Sequence, residues 1–440
     1  MNSSLQNLKF RRQFLMCPEV CHKLEAWGTE KIGENYLYVH PDCSIHKSLT
    51  GNTDIVLIGY LFNPNEPDKT VPEIIDKIAY VESVEEISTY LYPLVGRFVM
   101  LLKINGSHYV FNDTCGLKTV CYMYEGVKWY LASQPNLLKL VTDLKEGKRY
   151  YDYYESDYVK ANKEHFIPCG ITLYPEVQQL VPNHYLDVTA EKQVRFWPNR
   201  VLEKQNLDVA VDKFSELLAK TMKTANSKYD LAVSLTAGLD SRIILSACKD
   251  IAKDVEFYTL QYRKLSKKSK DITVPQEILS SFGYRHTIVE CRDMEDDGFL
   301  KIYENNSSLA HTDDWGNIAL GILTNFPSGK MAVKGSCAEI GQNECFKNGI
   351  HPKHLSAEIL LGYYGWGQID FARAPIQKWL DEVSDESVNF GYYVLDLFYW
   401  EQRMGSWQAQ SQLEWDIAQE VLSPFYNREL IDIMRSVEKD

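Results

Sequence analysis

The stretch Leu235-Thr236-Ala237-Gly238-Leu239-Asp240-Ser241 constrains this chain more than any other. It follows an apolar run, Tyr229-Asp230-Leu231-Ala232-Val233-Ser234, and leads into Arg242-Ile243-Ile244-Leu245-Ser246-Ala247. That order reads as buried strand, tight loop and helix. Small side chains let backbone N–H groups approach an anion, and the helix that follows points its positive dipole end at the same place. Asp240 and Ser241 add a metal ligand and a hydroxyl donor. The unit predicts a pyrophosphate-and-magnesium cradle. No GxxxxGK(S/T) pattern is present, so it is not a Walker A loop. A turn that merely tolerates small residues would look the same over so short a stretch, and the rest of the chain must decide.

At 440 residues the chain can form two or three domains, each with a full core. Its 45% hydrophobic and 24% charged residues are those of an ordinary soluble protein. A net charge of −13 argues against general nucleic-acid binding, although a local basic patch can still hold phosphate. No apolar run approaches the roughly 20 residues that a membrane helix needs. Arg11 and Arg12 are followed by only Phe14-Leu15-Met16, too short for a signal-peptide core. A cytoplasmic location is therefore expected, with neither membrane nor nucleic acid as partner. The ten cysteines (Cys17, Cys21, Cys43, Cys115, Cys121, Cys169, Cys248, Cys291, Cys337 and Cys345) are scattered and expected to be reduced. Cys17, Cys21, His22, His40 and Cys43 lack the spacing of a standard zinc knuckle, and incidental thiols are the better reading.

The first half is rich in short strands, expected at 55–62, 96–104, 108–112, 119–124 and 129–132. Asn105-Gly106 marks a hairpin between two of them. Helices are expected at 71–78, 83–91 and 137–144, giving a mixed α/β layer with mostly antiparallel pairing. A polar linker at 199–206 precedes an amphipathic helix at 207–223. Beyond the loop, strands at 255–260 and 286–289 flank a helix at 274–282, with Asp271 as its cap. Repeated strand–helix–strand units predict a doubly wound parallel sheet with ligands at the carboxyl ends of its strands. The basic run Arg263-Lys264-Leu265-Ser266-Lys267-Lys268-Ser269-Lys270 either covers a triphosphate or is a solvated loop. A second strand and small-residue loop, Ala332-Val333-Lys334-Gly335-Ser336-Cys337-Ala338-Glu339, carries a single acid.

These strings resemble the asparagine synthetase-like family, a branch of the ATP pyrophosphatases. Residues 236–241 resemble its SGGxDS loop, with Thr236 for the usual Ser and Ala237 for the first Gly, while Gly238, Leu239, Asp240 and Ser241 match. The segment at 334–339 resembles its second loop, with Glu339 in the place of the second magnesium ligand. Leu422-Ser423-Pro424-Phe425 resembles its PFlD segment. In the first half, Leu94-Val95-Gly96-Arg97-Phe98-Val99, Asn112-Asp113-Thr114-Cys115-Gly116, Leu131-Ala132-Ser133 and the stretch from Ile171 to Phe196-Trp197 resemble, in order, motifs of its N-terminal glutaminase-type domain. The resemblance implies an Ntn-hydrolase-like α/β sandwich over 1–198 and a doubly wound ATP pyrophosphatase (adenine nucleotide alpha hydrolase-like) domain over 207–440.

What it implies chemically is an ATP- and Mg²⁺-dependent ligase that adenylates a carboxylate and transfers it to a nitrogen nucleophile. Asp240 and Glu339 would hold Mg²⁺, and the loop from Thr236 to Ser241, with Gly335, would hold phosphate. Thr259 and Leu260 would meet the adenine, Lys334 would be catalytic, and Glu401 would be a catalytic group touching the acceptor amine or the acyl adenylate, or else would simply pair with Arg403 on the surface. His311-Thr312-Asp313-Asp314-Trp315 either lines the substrate pocket or is a plain loop. Active glutaminase domains begin with Cys, whereas this chain begins Met1-Asn2-Ser3-Ser4, so loss of glutamine hydrolysis is expected. Nitrogen would then come from ammonia or from an amine, with a small-molecule or peptide carboxylate as the other partner, and the assembly admits a homodimer. Ser336 departs from the Tyr of the β-lactam-forming relatives, and only Lys439 stands near where asparagine synthetases place a catalytic Lys. The rival readings are a non-catalytic nucleotide-binding or scaffold homologue and, less in keeping with the acidic charge, a sulfur- or tRNA-modifying enzyme.

Overall fold

The computed structural model describes residues 3–49, 53–307, 311, 314–342, 355–367 and 369–437. Among these, the first half carries twelve strands: β1 Phe14–Cys17, β2 Gly28–Ile32, β3 Asn35–Val39, β4 Ile45–Leu49, β5 Thr53–Phe62, β6 Val95–Ile104, β7 Ser107–Asn112, β8 Cys121–Glu125, β9 Lys128–Ala132, β10 Gln178–Gln179, β11 His184–Asp187 and β12 Lys192–Arg195. They form two antiparallel six-stranded sheets, ordered β10–β8–β9–β1–β3–β2 and β12–β11–β7–β6–β5–β4.

Strand alternation explains the layers. Phe14 and Met16 of β1 face Val56, Ile58, Val99 and Leu101 of the other sheet in a shared inner core. The intervening Leu15 and Cys17 point outward onto Leu137 and Leu138. On the far side, Ile55 and Leu57 pack against Ile74, Ile75 and Ile78 of the helix Val71–Ile78. The result is a four-layer sandwich with helices outside both sheets.

Asn105 and Gly106, at φ 50° and 86°, make the expected two-residue hairpin between β6 and β7. Gly96 of the LxGxFA-like string lies where two backbones nearly touch: a Cβ there would sit 2.2 Å from the Tyr60 carbonyl oxygen. The Asn112–Lys118 string is a carboxylate-centred turn, in which Asp113 accepts the backbone N–H groups of Cys115, Leu117 and Lys118 at 3.2, 2.9 and 2.7 Å. The helix expected at 137–144 is only a short one, Pro135–Leu138.

The second half holds five parallel strands, β13 Leu231–Ser234, β14 Glu256–Gln261, β15 His286–Glu290, β16 Met331–Val333 and β17 Val421–Leu422, ordered β15–β14–β13–β16–β17. Leu231 and Val233 enter a core under the helices Leu207–Lys228 and Leu239–Ala247. Ala232 and Tyr258 enter another core under Phe299, Ile318 and Ile322. The sheet is therefore covered on both faces, as expected for a doubly wound arrangement. Its strand order reverses between β13 and β16, and that switch point is where such sheets open a crevice.

The two halves are joined by buried contacts. Arg97 of β6 forms a bidentate pair with Asp416 at 2.7 and 2.8 Å. The Tyr60 hydroxyl donates to the Val421 carbonyl at 2.6 Å, and the Trp400 indole to the Thr114 carbonyl at 2.9 Å. The segment expected as a free linker is docked: Leu202 is buried, its N–H reaching the Phe390 carbonyl, and the Gln205 N–H reaches the Ser436 carbonyl. No helix among the described residues is long and apolar enough to cross a membrane.

Candidate active site

The loop after β13 is knitted by its own side chains. The Ser241 hydroxyl accepts the Thr236 N–H at 3.1 Å and lies 3.1–3.2 Å from the Gly238 and Thr236 carbonyls. The Thr236 hydroxyl accepts the Gly238 N–H at 3.1 Å. The Ala237 N–H donates to a carboxylate oxygen of Asp271 at 3.0 Å. Gly238 is the N-cap of the helix Leu239–Ala247, which puts Asp240 in its positively polarised first turn. Leu239 is exposed on that turn.

Asp271 is not the cap expected for the following helix. That helix is Lys270–Ser281 with Ser269 at its N-cap, and Asp271 sits in the first turn facing the loop. Sequence spacing could place Asp271 near a helix start but could not show that its carboxylate serves a loop 34 residues earlier.

The loop after β16 abuts the first. A Cβ on Gly335 would stand 3.0 Å from the Asp240 Cβ, so any side chain there would press the two loops apart by a few tenths of an ångström. The short helix Ala338–Gln342 carries Glu339, which is half-buried. From the same helix, Gln342 donates its Nε2 to Asp240 at 2.7 Å. Asp240 and the loop bearing Glu339 therefore meet at the switch point, as their positions on adjacent strands imply. Gln342 was not foreseen, since nothing in its sequence context marks it.

Lys334 leaves β16 with its N–H bonded to the Leu422 carbonyl at 3.0 Å. Its ammonium stands 4.4 Å from the centre of the Trp415 indole and has no carboxylate partner among the described residues. Desolvation pulls its pKa down from 10.5 to about 7, with Arg97 adding repulsion and Cys291 opposing the fall. A half-buried cation without a counter-charge is a ready receptor for an anion.

The remaining candidates differ in how near the loops they stand. Thr259 is buried within β14, its hydroxyl tied to the Leu235 carbonyl at 2.6 Å and to His286 at 2.8 Å, so it braces the root of the loop. Leu260 is half-buried against the opposite core. Glu401 is fully engaged away from the loops. Arg195 grips both its oxygens, at 2.5 and 3.0 Å, and Trp379 and Asn183 donate at 2.7 and 3.3 Å. The partner expected for it, Arg403, instead pairs with Glu164 at 3.1 Å and stacks on Trp407 at 3.9 Å. In the basic run, Arg263 pairs with Asp314 at 2.7 Å, and Lys264, Lys267 and Lys268 are exposed.

The nine cysteines among the described residues are free thiols, and Cys345 and Lys439 lie outside those residues. In the first half Cys17 and Cys121 are pushed up to about 12 by burial, which leaves neither as a nucleophile. Among the described residues, no three His, Cys, Asp or Glu side chains converge as a metal site.

No protein-family model and no curated protein matches the chain. Among solved structures it is similar to one described as the allosteric regulatory enzyme of purine biosynthesis, at 14% identity, covering 66% of this chain and 70% of that one, with a TM-score of 0.27. It is also similar to glutamine phosphoribosylpyrophosphate (PRPP) amidotransferase from B. subtilis complexed with ADP and GMP, at 12% identity, covering 64% and 67%, with a TM-score of 0.25. At TM-scores this low neither likeness defines a fold or an activity.

Proposed function

We propose that this chain is an ATP-dependent carbon–nitrogen ligase of the asparagine synthetase-like kind, which releases AMP and pyrophosphate. The observation that carries the reading is the meeting of two small-residue loops at the switch point of a parallel sheet, with an acid on each and, beside them, a lysine that has no carboxylate partner among the described residues. ATP would lay its phosphates across residues 236–241, against the start of the helix Leu239–Ala247. Lys334 would offset the charge that builds on pyrophosphate as it departs. Asp240 and Glu339 are hard oxygen donors that suit Mg²⁺, an ion commonly held by one or two carboxylates plus substrate phosphates. Bound there, Mg²⁺ would supply charge neutralisation on the phosphates.

In the first half-reaction a carboxylate oxygen of the acid attacks the α-phosphorus and pyrophosphate leaves. In the second, ammonia or an amine attacks the acyl carbon, the C–N bond forms, and AMP leaves with the electrons of the C–O bond.

A second reading, a non-catalytic nucleotide-binding or scaffold homologue, draws on one observation. The Ala237 and Gly238 N–H groups already donate within the protein, to Asp271 and Thr236. Product analysis by phosphorus NMR separates the two. ATP, Mg²⁺, a panel of carboxylic acids and an amine should give AMP and pyrophosphate. ADP and inorganic phosphate would contradict the ligase reading, and unchanged ATP across the panel would favour the non-catalytic one.

A further inference from the structure

The tyrosine run Tyr150-Tyr151-Asp152-Tyr153-Tyr154 closes a cavity that the site above leaves unused. The run lies on the helix Lys148–Glu155. Tyr150, Tyr153 and Tyr154, at i, i+3 and i+4, therefore share one face of it, while Tyr151 is 54% exposed on another. That shared face, together with Tyr174 and Phe166, walls a cavity of about 110 Å³. Glu304, Ser307 and Gln410 of the second half complete the wall, so the cavity lies between the two halves.

The rings are set at angles to one another. Tyr150 meets Tyr154 at 4.8 Å and 55° and Tyr174 at 6.0 Å and 45°, and Tyr153 meets Tyr154 at 5.5 Å and 80°. They bound the space from several sides instead of stacking face to face. Burial pushes all four phenols up, so the rings are neutral and keep the negative faces of their quadrupoles. One of them already holds a cation: the Lys139 ammonium stands 4.9 Å over Tyr174 and is neutralised by Glu146 at 2.8 Å. Polar groups on the wall are engaged within the protein. The Thr172 hydroxyl lies 2.9 and 2.8 Å from the Tyr174 and Val177 carbonyls, Asn136 Nδ2 donates to the Asn305 carbonyl at 3.2 Å, and Gln179 Nε2 donates to the Gly405 carbonyl at 2.7 Å. The charged residues lining the cavity are two acids, Glu146 and Glu304, and both are exposed, which places them at its rim.

Aromatic walls with acids at the rim disfavour an anion. A primary ammonium is also a poor occupant, because its N–H groups need acceptors that the wall has already spent. A methylated ammonium needs none, and its charge is attracted to ring faces directly. The volume equals that of about four waters in the liquid, which matches a trimethylammonium head. We propose that this cavity binds the methylated ammonium head of a small free amine, enclosed by Tyr150, Tyr153, Tyr154 and Tyr174 and complemented by Glu146 and Glu304 at the rim. Because both halves line the cavity, the ligand also ties them together. The proposal does not rest on the ligase reading, since none of these residues belongs to the two loops.

Calorimetry on the full chain tests this with choline, with ethanolamine, and with the neutral alcohol in which carbon replaces the nitrogen of choline. Choline is expected to bind at least about tenfold more tightly than either. Phosphocholine, whose phosphate would face the two acids, should bind about tenfold more weakly than choline, which separates a free amine from a lipid head group. Tyr154→Leu should weaken choline binding about tenfold or more, and Tyr154→Phe, which keeps the ring, should stay within about threefold of wild type. Choline should also raise the melting temperature of the wild-type protein. No binding of choline would overturn the proposal, and so would equal binding of the neutral alcohol; both results come from the wild-type chain and depend on no variant folding. Choline binding undiminished in a folded Tyr154→Leu variant would place the site elsewhere and overturn it too.

Discussion

Lys334 should be a residue that costs stability and is kept for chemistry. Its ammonium lies half-buried over Trp415 with no carboxylate partner among the described residues, and its pKa falls from 10.5 to about 7. Each pKa unit corresponds to about 1.4 kcal/mol, so this fall caps the folding penalty near 5 kcal/mol; partial solvent contact lowers it to about 2–3 kcal/mol. Lys334→Met keeps the length and lays a thioether on the indole, a favourable contact. The variant should therefore gain about 2–3 kcal/mol in urea unfolding at pH 6.5 while losing about a hundredfold in ATP–pyrophosphate exchange. Because the folded pKa lies below the ordinary one, the unfolded chain binds more protons between pH 7 and 10.5. Wild-type stability should rise across that window and the gap to the variant should shrink. A Met variant no more stable than wild type at pH 6.5, with exchange intact, would refute the reasoning.

Ser241→Ala removes the hydroxyl that accepts the Thr236 N–H and should weaken nucleotide binding about tenfold, read by calorimetry with ATP and Mg²⁺. Glu401→Gln breaks a buried pair with Arg195 and should cost about 3–5 kcal/mol in denaturant unfolding, yet leave exchange per folded molecule within about threefold; a selective loss of exchange would restore Glu401 as a catalytic group. Arg97→Met leaves Asp416 charged and buried, so unfolding should become easier by about 3–5 kcal/mol, and the pair Arg97→Met with Asp416→Leu should recover most of that. Scanning calorimetry of the three proteins measures the difference.

The loop at 235–241 was legible because strand, turn and helix are each encoded within a few residues of one another. The hairpin at Asn105-Gly106 was legible for the same reason. The strands that escaped notice are largely at sheet edges. β2, β10 and β12 carry Gly28-Thr29-Glu30-Lys31, Gln178-Gln179 and Lys192-Gln193, polar sequences without the apolar run or alternation that marks a half-buried strand. The docked segment at 199–206 read as a linker because its partners, Ser88, Phe390, Asp432 and Ser436 among them, lie far from it in the sequence. Within the site, Asp240, Glu339 and Lys334 follow strands directly and could be placed by counting. Asp271 and Gln342 could not, because each meets its partner across a gap of 34 or 102 residues. Nor could the burial of His311 against Glu414, 103 residues away. Glu401 shows the opposite limit. A lone acid on an aromatic helix looked chemical, and its engagement by Arg195 depended on the docking of the two halves.

The central claim is that the two abutting loops activate a carboxylate with ATP. ATP–pyrophosphate exchange tests this most directly, with Mg²⁺, a panel of carboxylic acids and Asp240→Ala alongside wild type. The account predicts exchange that depends on one class of acid and falls at least a hundredfold in the variant. No exchange with any acid, together with no measurable binding of ATP, would contradict it.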